Sequence, residues 1–353
     1  MAEEIRFVPH EALRELSDRI QVALGIPREH AEVVTDCLVE AELMGLTTHG
    51  IIRLKWYMDR MRAGGINPHP AMRCLRDHPV TALLDGDNGL GPVGGKMAME
   101  LAIEKAATYG VGLVLMRNCN HYGVAQYYAR MALAHEMIGL SMTNVIAAMP
   151  PTGGAEARQG NNPFSIAFPA DREPPVVVDG AMSKGTWGRL FLCIQRGEAL
   201  PEGLYVDKDG LPTTDPQAVL DGGCLLPIAE HKGYGLAVAI ELLTGMLAGW
   251  SLDHEVPHPY KVLDKPGDNT YLMAAIRIDH FTDVAAFKRR MDEWIRFMRA
   301  TRRAPGVQRI WLPGEMEHVT RAERLAKGIP LHVNQLAELE GLAREAGVAG
   351  LGV

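Results

Sequence analysis

Two histidines and an arginine stand where a proton could be moved and an anion held. His121 lies in Asn118-Cys119-Asn120-His121-Tyr122-Gly123, directly after the apolar run Val111-Gly112-Leu113-Val114-Leu115-Met116. His49 lies in Thr47-Thr48-His49-Gly50, with Arg53 four residues further on. Imidazole has the side-chain pKa nearest neutrality, so at a strand end or a break between helices it can take and return a proton at working pH. Arginine offers a planar fork matched to a carboxylate, and residues four apart share a helix face. Either histidine alone would more simply satisfy the backbone of a polar loop. Two in such settings, one of them beside an anion-binding side chain, suit acid–base chemistry on a small carboxylate.

The elements that must carry these residues follow from spacing. Leu13, Leu16, Ile20 and Leu24 recur at helical intervals over residues 10–24. A second helix starts at Pro27, runs through Ala31, Val34, Leu38 and Ala41, and ends at Gly45. Thr48-His49-Gly50 fills the break before a third helix bearing Arg53, Leu54 and Tyr57. Strands are expected at 80–84 and 111–116, with Asp85-Gly86-Asp87-Asn88 as a turn and a helix over 96–109 between them. A helix from Ala125 to Met137 follows, then strands at 138–142, 176–178, 271–278 and 308–312. Further helices are expected from His231 to Leu247, over 283–301, and near 317–327 and 333–346, while 197–227 reads as loops. Helical ends around a strand-rich middle predict a helical part from 1–78 with 283–353, beside a central sheet domain at 79–282.

Two further stretches carry possible chemistry. Gly89-Leu90-Gly91-Pro92-Val93-Gly94 is a literal G-x-G-x-x-G between a strand and a helix. A dinucleotide fingerprint, however, needs a carboxylate at the end of the next strand, and Met116-Arg117-Asn118 has none. Pro92 also removes an amide from the loop that should cradle phosphate. Lys232 and His231 place cations in the first turn of a helix, against its dipole, which suits an anionic or polar ligand there better than an empty site.

Composition excludes several classes. With 47% hydrophobic and 22% charged residues the chain is an ordinary globular protein, and a net charge of −7 argues against nucleic acid or an anionic membrane as partner. Met1-Ala2-Glu3-Glu4-Ile5 lacks the apolar core of a signal peptide, and no apolar run is long enough to span a bilayer. The five cysteines, Cys37, Cys74, Cys119, Cys193 and Cys224, form no C-x-x-C pair, so neither a disulfide framework nor a zinc site is indicated and a reducing cytoplasm is expected. Cys119, near His121, lacks the local signature of a cysteine nucleophile.

Taken in order, Thr48 to Leu54, Gly94 to Met99, Asn118 to Gly123, Gly153-Gly154 with Asn161-Asn162-Pro163, Asp179 to Ser183, His231 to Leu236 and Leu312 to Glu315 resemble the type-2 malate/L-lactate dehydrogenase family. That family includes ureidoglycolate and sulfolactate dehydrogenases and cyclic-imine reductases. The resemblance implies an α/β fold of α+β type, with a mixed, largely antiparallel central sheet rather than a Rossmann domain. It also implies NAD, or NADP, as cofactor and a homodimer. Residue by residue, it implies His121 as the acid/base histidine, with His49 and Thr48 beside it, and Arg53 as the grip on a substrate carboxylate. Thr143, Asn144, Asp179, Gly180, Ala181, Lys232, Gly314 and Glu315 match cofactor-contacting positions. Three stretches depart from the family pattern: Thr48 stands for serine, Val145 for the serine of Thr-Asn-Ser, and Asp179-Gly180-Ala181-Met182-Ser183 for Asp-Met-Ala-Thr-Ser.

The leading expectation is therefore hydride transfer between a nicotinamide and C2 of a small 2-hydroxy or 2-keto acid, without a metal. Reduction of a cyclic imino acid is the alternative from the same family. Metal-assisted hydrolysis by His49, His121 and Asp179, or a catalytically silent binding protein, would be readings of another class, and the required ligand spacing for the first is missing.

Overall fold

A computed structural model describes residues 4–352, without the side chain at 195; Met1–Glu3, the start of the acidic N-terminus, lie outside them. The fold is built on a seven-stranded sheet. Its spatial order is Arg73–Asp77, Thr81–Gly89, Val111–Cys119, Asn269–Arg277, Met137–Thr143, Phe164–Phe168 and Val176–Gly180. Only Thr81–Gly89 and Val111–Cys119 run parallel; the other neighbours are antiparallel. This is the mixed, largely antiparallel sheet expected from the resemblance, not a doubly wound parallel one.

The central strand comes from late in the chain. Asn269–Arg277 inserts between Val111–Cys119 and Met137–Thr143, and its first seven residues are buried. It brings Asn269 to the sheet end where the polypeptide leaves Cys119 toward His121. On one face the sheet packs against the helices Gly91–Tyr109 and Ala125–Met131, with Met99, Ala102, Val114, Met116, Tyr128 and Tyr271 in the core between them.

The two chain ends meet. Ile5–Val8 pairs antiparallel with Ile329–His332, and Leu13, Leu16, Ile20, Leu38 and Leu54 share one buried cluster with Ile329, Leu331, Leu336 and Leu339. Each fully buried leucine there is worth about 1.5–3 kcal/mol relative to exposure. The cluster holds the helices His10–Ala23, Arg28–Leu43 and Ile52–Arg62 against the helix Val333–Glu345. The helix Val284–Arg299 instead packs beside Val176 and Leu312, at the sheet edge.

Several local expectations need correction. Asp85 to Asn88 is not a turn but part of the strand Thr81–Gly89, where pairing is irregular between Asp85 and Gly89 and Asp87 and Asn88 have φ of 48° and 54°. Asp and Asn tolerate that conformation, so turn-forming residues here make a bulge. Gln308 to Leu312 forms no strand, and residues 197–227 hold the short antiparallel pair Tyr205–Val206 and Cys224–Leu225. The helix Trp187–Arg196 was not foreseen.

The glycine run has a packing role. A Cβ on Gly91 would lie 2.1 Å from the His121 carbonyl oxygen and 2.3 Å from that of Asn120. The helix Gly91–Tyr109 thus abuts the His121 segment more closely than any side chain permits. Gly91→Ala should destabilise the protein by about 1–3 kcal/mol or more in denaturant unfolding, the cost of overpacking. Gly180→Ala, where an added Cβ meets nothing within 4 Å, should change stability by no more than about 0.5 kcal/mol.

Candidate active site

Helix Ile52–Arg62 presents Arg53, Trp56, Tyr57 and Arg60 at intervals of three and four, so all four fall on one side of it. The turn Thr47–His49 sits at its start, and the segment after strand Val111–Cys119 delivers Asn120 and His121 opposite. The rings of His49 and His121 stack with centroids 5.5 Å apart and planes at 24°. The Thr48 hydroxyl is 2.9 Å from His49 Nδ1, and the Tyr57 hydroxyl 2.8 Å from His121 Nδ1, which also accepts from the Gly123 amide at 3.4 Å. Arg53 donates through Nε to the Thr48 carbonyl at 2.6 Å and through Nη1 to the Tyr260 hydroxyl, its guanidinium 5.6 Å from the Trp56 and Tyr260 ring centroids. His49, His121, Thr48 and Arg53, far apart in sequence, are brought together.

Of these groups His121 lines a small cleft, together with Trp56, Arg60, Asn120, Tyr260 and Asn269 and with the apolar Val145, Ile146, Val256 and Pro257; His49 stacks on His121 and Arg53 bonds to Tyr260 outside that lining. Thr143 and Asn144 lie beneath that apolar wall. Both are buried, the Thr143 hydroxyl bonding to the Thr270 carbonyl (3.0 Å) and Asn144 to Ser251 and Thr270 (2.9 and 2.8 Å). Their side chains are thus engaged within the protein, and what they offer the cleft is the position of Val145 and Ile146. Asp253, fully buried, fixes the same wall. It accepts from the Gly160 amide and the Asn162 side chain (2.7 and 2.8 Å), while Asn162 in turn accepts from the Val145 amide (3.0 Å). Burial, with Glu241 nearby, pushes the Asp253 carboxyl up to about 7.

The remaining cofactor-assigned residues form a second group. The Val177 amide donates to the Pro313 carbonyl at 3.0 Å, which seats Gly314 (φ 83°) against the strand that bears Asp179 and Gly180. Beyond Ala181, the Ile228 amide bonds to the Met182 carbonyl (2.9 Å), placing the start of the helix His231–Glu241, with exposed Lys232, beside that segment. Lys232 makes no ion pair among the described residues. The Glu315 carboxylate points away, buried against Arg299 (3.1 Å) and Arg309. The elements flanking the two groups come close: Gln126, on the helix after the His121 segment, donates to Asp179 at 3.5 Å, and Gly188, on the helix after Met182, lies where a Cβ would be 3.3 Å from the Thr48 methyl. Asp179 is not assembled with the two histidines, and among the described residues no three His, Cys, Asp or Glu side chains are placed to hold a metal.

Sequence reasoning missed Trp56, Arg60 and Tyr260. The first was legible, as was Arg60, from the spacing after Arg53. Arg60, 2% exposed, donates to the carbonyls of Val262 (3.0 Å), Lys265 (2.7 Å) and Gly65 (3.3 Å) and to Asn120 Oδ1 (3.2 Å), while Trp56 Nε1 holds the Pro259 carbonyl (3.0 Å). Together they fasten the loop that carries Tyr260. Nothing in a long irregular loop signals which of its residues faces a cleft.

The sequence model of the malate/L-lactate dehydrogenase family matches residues 8–340. The malate dehydrogenase of Pyrococcus abyssi is 41% identical over 98% of this chain and 96% of its own length. The ureidoglycolate dehydrogenase (NAD(+)) of Escherichia coli K12 is 32% identical over 92% of each. The solved structure of the Methanocaldococcus jannaschii sulfolactate dehydrogenase superposes with a TM-score of 0.90 at 37% identity, covering 97% of this chain and 98% of that one. The architecture is that of a family of oxidoreductases. The chain belongs to the malate/L-lactate dehydrogenase family and is a dehydrogenase.

Burial depresses both imidazoles. It brings His49 down to about 4, with Arg53 adding to the effect, and it holds His121 well below 6.5, with His49, Arg53 and Arg60 adding. Both rings are therefore neutral at pH 7. In ligand-free protein the ring-proton resonances of both histidines, assigned with His49→Asn and His121→Asn, should titrate below pH 6.5, His49 with a midpoint near 4. Either one titrating at or above 6.5 would contradict this burial.

Proposed function

We propose that the protein transfers a hydride between C2 of a small 2-hydroxy acid and a nicotinamide, with NAD the preferred cofactor. The observation that carries this reading is the stack of two neutral imidazoles, one of them lining a partly apolar cleft, with the Arg53 guanidinium bonded to Tyr260 of the same lining. The apolar residues of the lining suit a flat ring, with His121 there for a proton and Arg53 next to Tyr260 for a carboxylate. Asp179, Gly180, Ala181, Gly314 and Lys232 would hold the rest of the cofactor. Gly180 and Gly235 open onto free space, leaving room for backbone approach there. The ureidoglycolate relative, named for NAD(+), supports that choice of cofactor. When bound, the nicotinamide supplies the hydride acceptor.

The chain's own residues manage the proton and the orientation. Arg53 has N–H groups beyond those given to Thr48 and Tyr260, and these grip the substrate carboxylate. His121 takes the hydroxyl proton as the C2–O bond becomes a carbonyl. Taking the proton at Nε2 requires the tautomer with its hydrogen on Nδ1, which donates to the Tyr57 hydroxyl 2.8 Å away instead of accepting at 3.4 Å from the Gly123 amide. His49, bonded to Thr48, stacks on the His121 ring. Reduction runs the same steps backwards. In the imine alternative, His121 would instead give its proton to a ring nitrogen.

Absorbance at the reduced-nicotinamide band decides between these, screened over malate, lactate, sulfolactate, ureidoglycolate and a cyclic imino acid with both cofactors. Turnover of the hydroxy acids is expected, and turnover of the imine alone would favour the alternative. His121→Ala should lower kcat by about 10² to 10⁴ while nicotinamide fluorescence still reports cofactor binding. Arg53→Lys should raise KM for the acid because the fork is lost.

A homodimer is also proposed. Leu236, Leu243, Met246 and Leu247 are each 43–58% exposed on one helical stretch, a cluster of apolar side chains that water would not favour. A second copy covering this face accounts for it, as does the resemblance to a dimeric family. Sedimentation should find a dimer, and Leu243→Glu with Met246→Glu a monomer; an unchanged dimer would place the interface elsewhere.

A further inference from the structure

Glu42 ends its side chain inside the protein, fully buried near the C-terminus of helix Arg28–Leu43. Its Oε1 accepts the Ile51 amide at 3.0 Å, and Ile51 caps the helix that carries Arg53, Trp56, Tyr57 and Arg60. Between His49 and Ile51 stands Gly50, with an ordinary φ of −86°. A Cβ there would lie 2.1 Å from Glu42 Oε1 and 2.4 Å from its carboxyl carbon. Contact with this carboxylate, not backbone strain, is what demands glycine after His49. On its other side Glu42 meets helix Glu315–Lys327: Arg324 Nη1 donates to the Glu42 carbonyl and lies 3.7 Å from Oε2. That helix begins at Gly314, in the group assigned to the cofactor. Burial pushes the Glu42 carboxyl up to about 7, against the pull of the Ile51 amide and Arg324. A carboxylate kept in such a place at electrostatic cost has its hydrogen bond as its use.

We propose that Glu42 is a positioning residue: through the Ile51 amide it fixes the His49 turn and the first turn of the Arg53 helix, and through Arg324 it ties both to the helix that starts at Gly314. The proposal rests on the role given above to Arg53 and His49. It assigns Glu42 no contact with substrate.

The test uses Glu42→Ala, Glu42→Gln, Gly50→Ala and the double variant Gly50→Ala/Glu42→Ala in the full chain. Glu42→Ala should lower kcat/KM for the hydroxy acid by about 10², mostly through KM, since a small misplacement of an orienting group has effects of that order. Cofactor affinity, read by nicotinamide fluorescence, should stay within about twofold, since the Arg324 bond to the backbone carbonyl of residue 42 survives the substitution and keeps the Gly314 helix in place. Glu42→Gln, which retains an oxygen for the Ile51 amide, should recover most of the KM. Gly50→Ala should match Glu42→Ala, and the double variant should be no worse than either, because the added methyl enters the space the carboxylate left. Hydrogen exchange across residues 46–56 should speed up in Glu42→Ala and return toward wild type in Glu42→Gln. An unchanged KM in Glu42→Ala, or losses that multiply in the double variant, would overturn the proposal. If the wild-type protein oxidises no 2-hydroxy acid, the functional reading has failed instead. Exchange at Ile51 then still decides whether Glu42 holds the turn.

Discussion

Two imidazoles whose rings stack 5.5 Å apart, with a guanidinium alongside, cannot all carry charge. At that separation two unit charges repel by roughly 3 kcal/mol with an effective dielectric near 20, and burial adds to the penalty. The resting site therefore holds two permanent cations, Arg53 and Arg60, and two neutral rings. Neutral imidazole is the form that accepts a proton. A carboxylate on Arg53 would offset one of the charges that, after burial, oppose protonation of His121.

That arrangement is held mainly by buried polar groups. Arg60 gathers carbonyls of the 259–265 loop and Asn120, Asp253 gathers amides of the 159–162 segment, and Glu42 holds the Ile51 amide. Each fixes one side of the cleft through directional bonds, whereas the apolar clusters beneath fix only the helices and strands as bodies. Leaving a buried partner unpaired costs about 1–3 kcal/mol, so these bonds resist the half-ångström displacements that a packed but undirected wall would allow.

How much of this was legible varies with the physics of each signal. His121 and His49 could be found because a titratable ring at a break between elements is chemically conspicuous, and Arg53 because helical spacing put it on the next turn. The same spacing reaches Trp56, Tyr57 and Arg60. The glycine run at 89–94 matched a phosphate-binding pattern by residue type alone. Its actual demand, close approach of Gly91 to the backbone of Asn120 and His121, depends on a contact 30 residues away that no local pattern encodes. Asp85 to Asn88 misled for a related reason, since the backbone freedom of a turn also serves a bulge. Tyr260 and the helix Trp187–Arg196 owe their placement to tertiary contacts, and Thr143 and Asn144 show that a motif can fix the direction of a strand end without saying which side chains face the cleft.

Of the three departures from the family pattern, those at Thr48 and Val145 leave in place the groups assigned to the proton and the carboxylate. Thr48 keeps the hydroxyl that meets His49, and its extra methyl lies beside Gly188, where the absence of a side chain leaves it room. Val145 puts an isopropyl group on the cleft wall where the pattern has a hydroxyl. Such changes alter the shape and wetness of the cavity and leave the histidine pair, Arg53 and Tyr57 unaltered. Proton transfer depends on hydrogen-bond distances fixed within the helix Ile52–Arg62 and the His121 segment, whereas fit depends on side chains that can change size without moving those bonds. On the proposed reading, the chemistry can therefore be retained while Val145, Ile146 and the Tyr260 loop shape the space open to the acid.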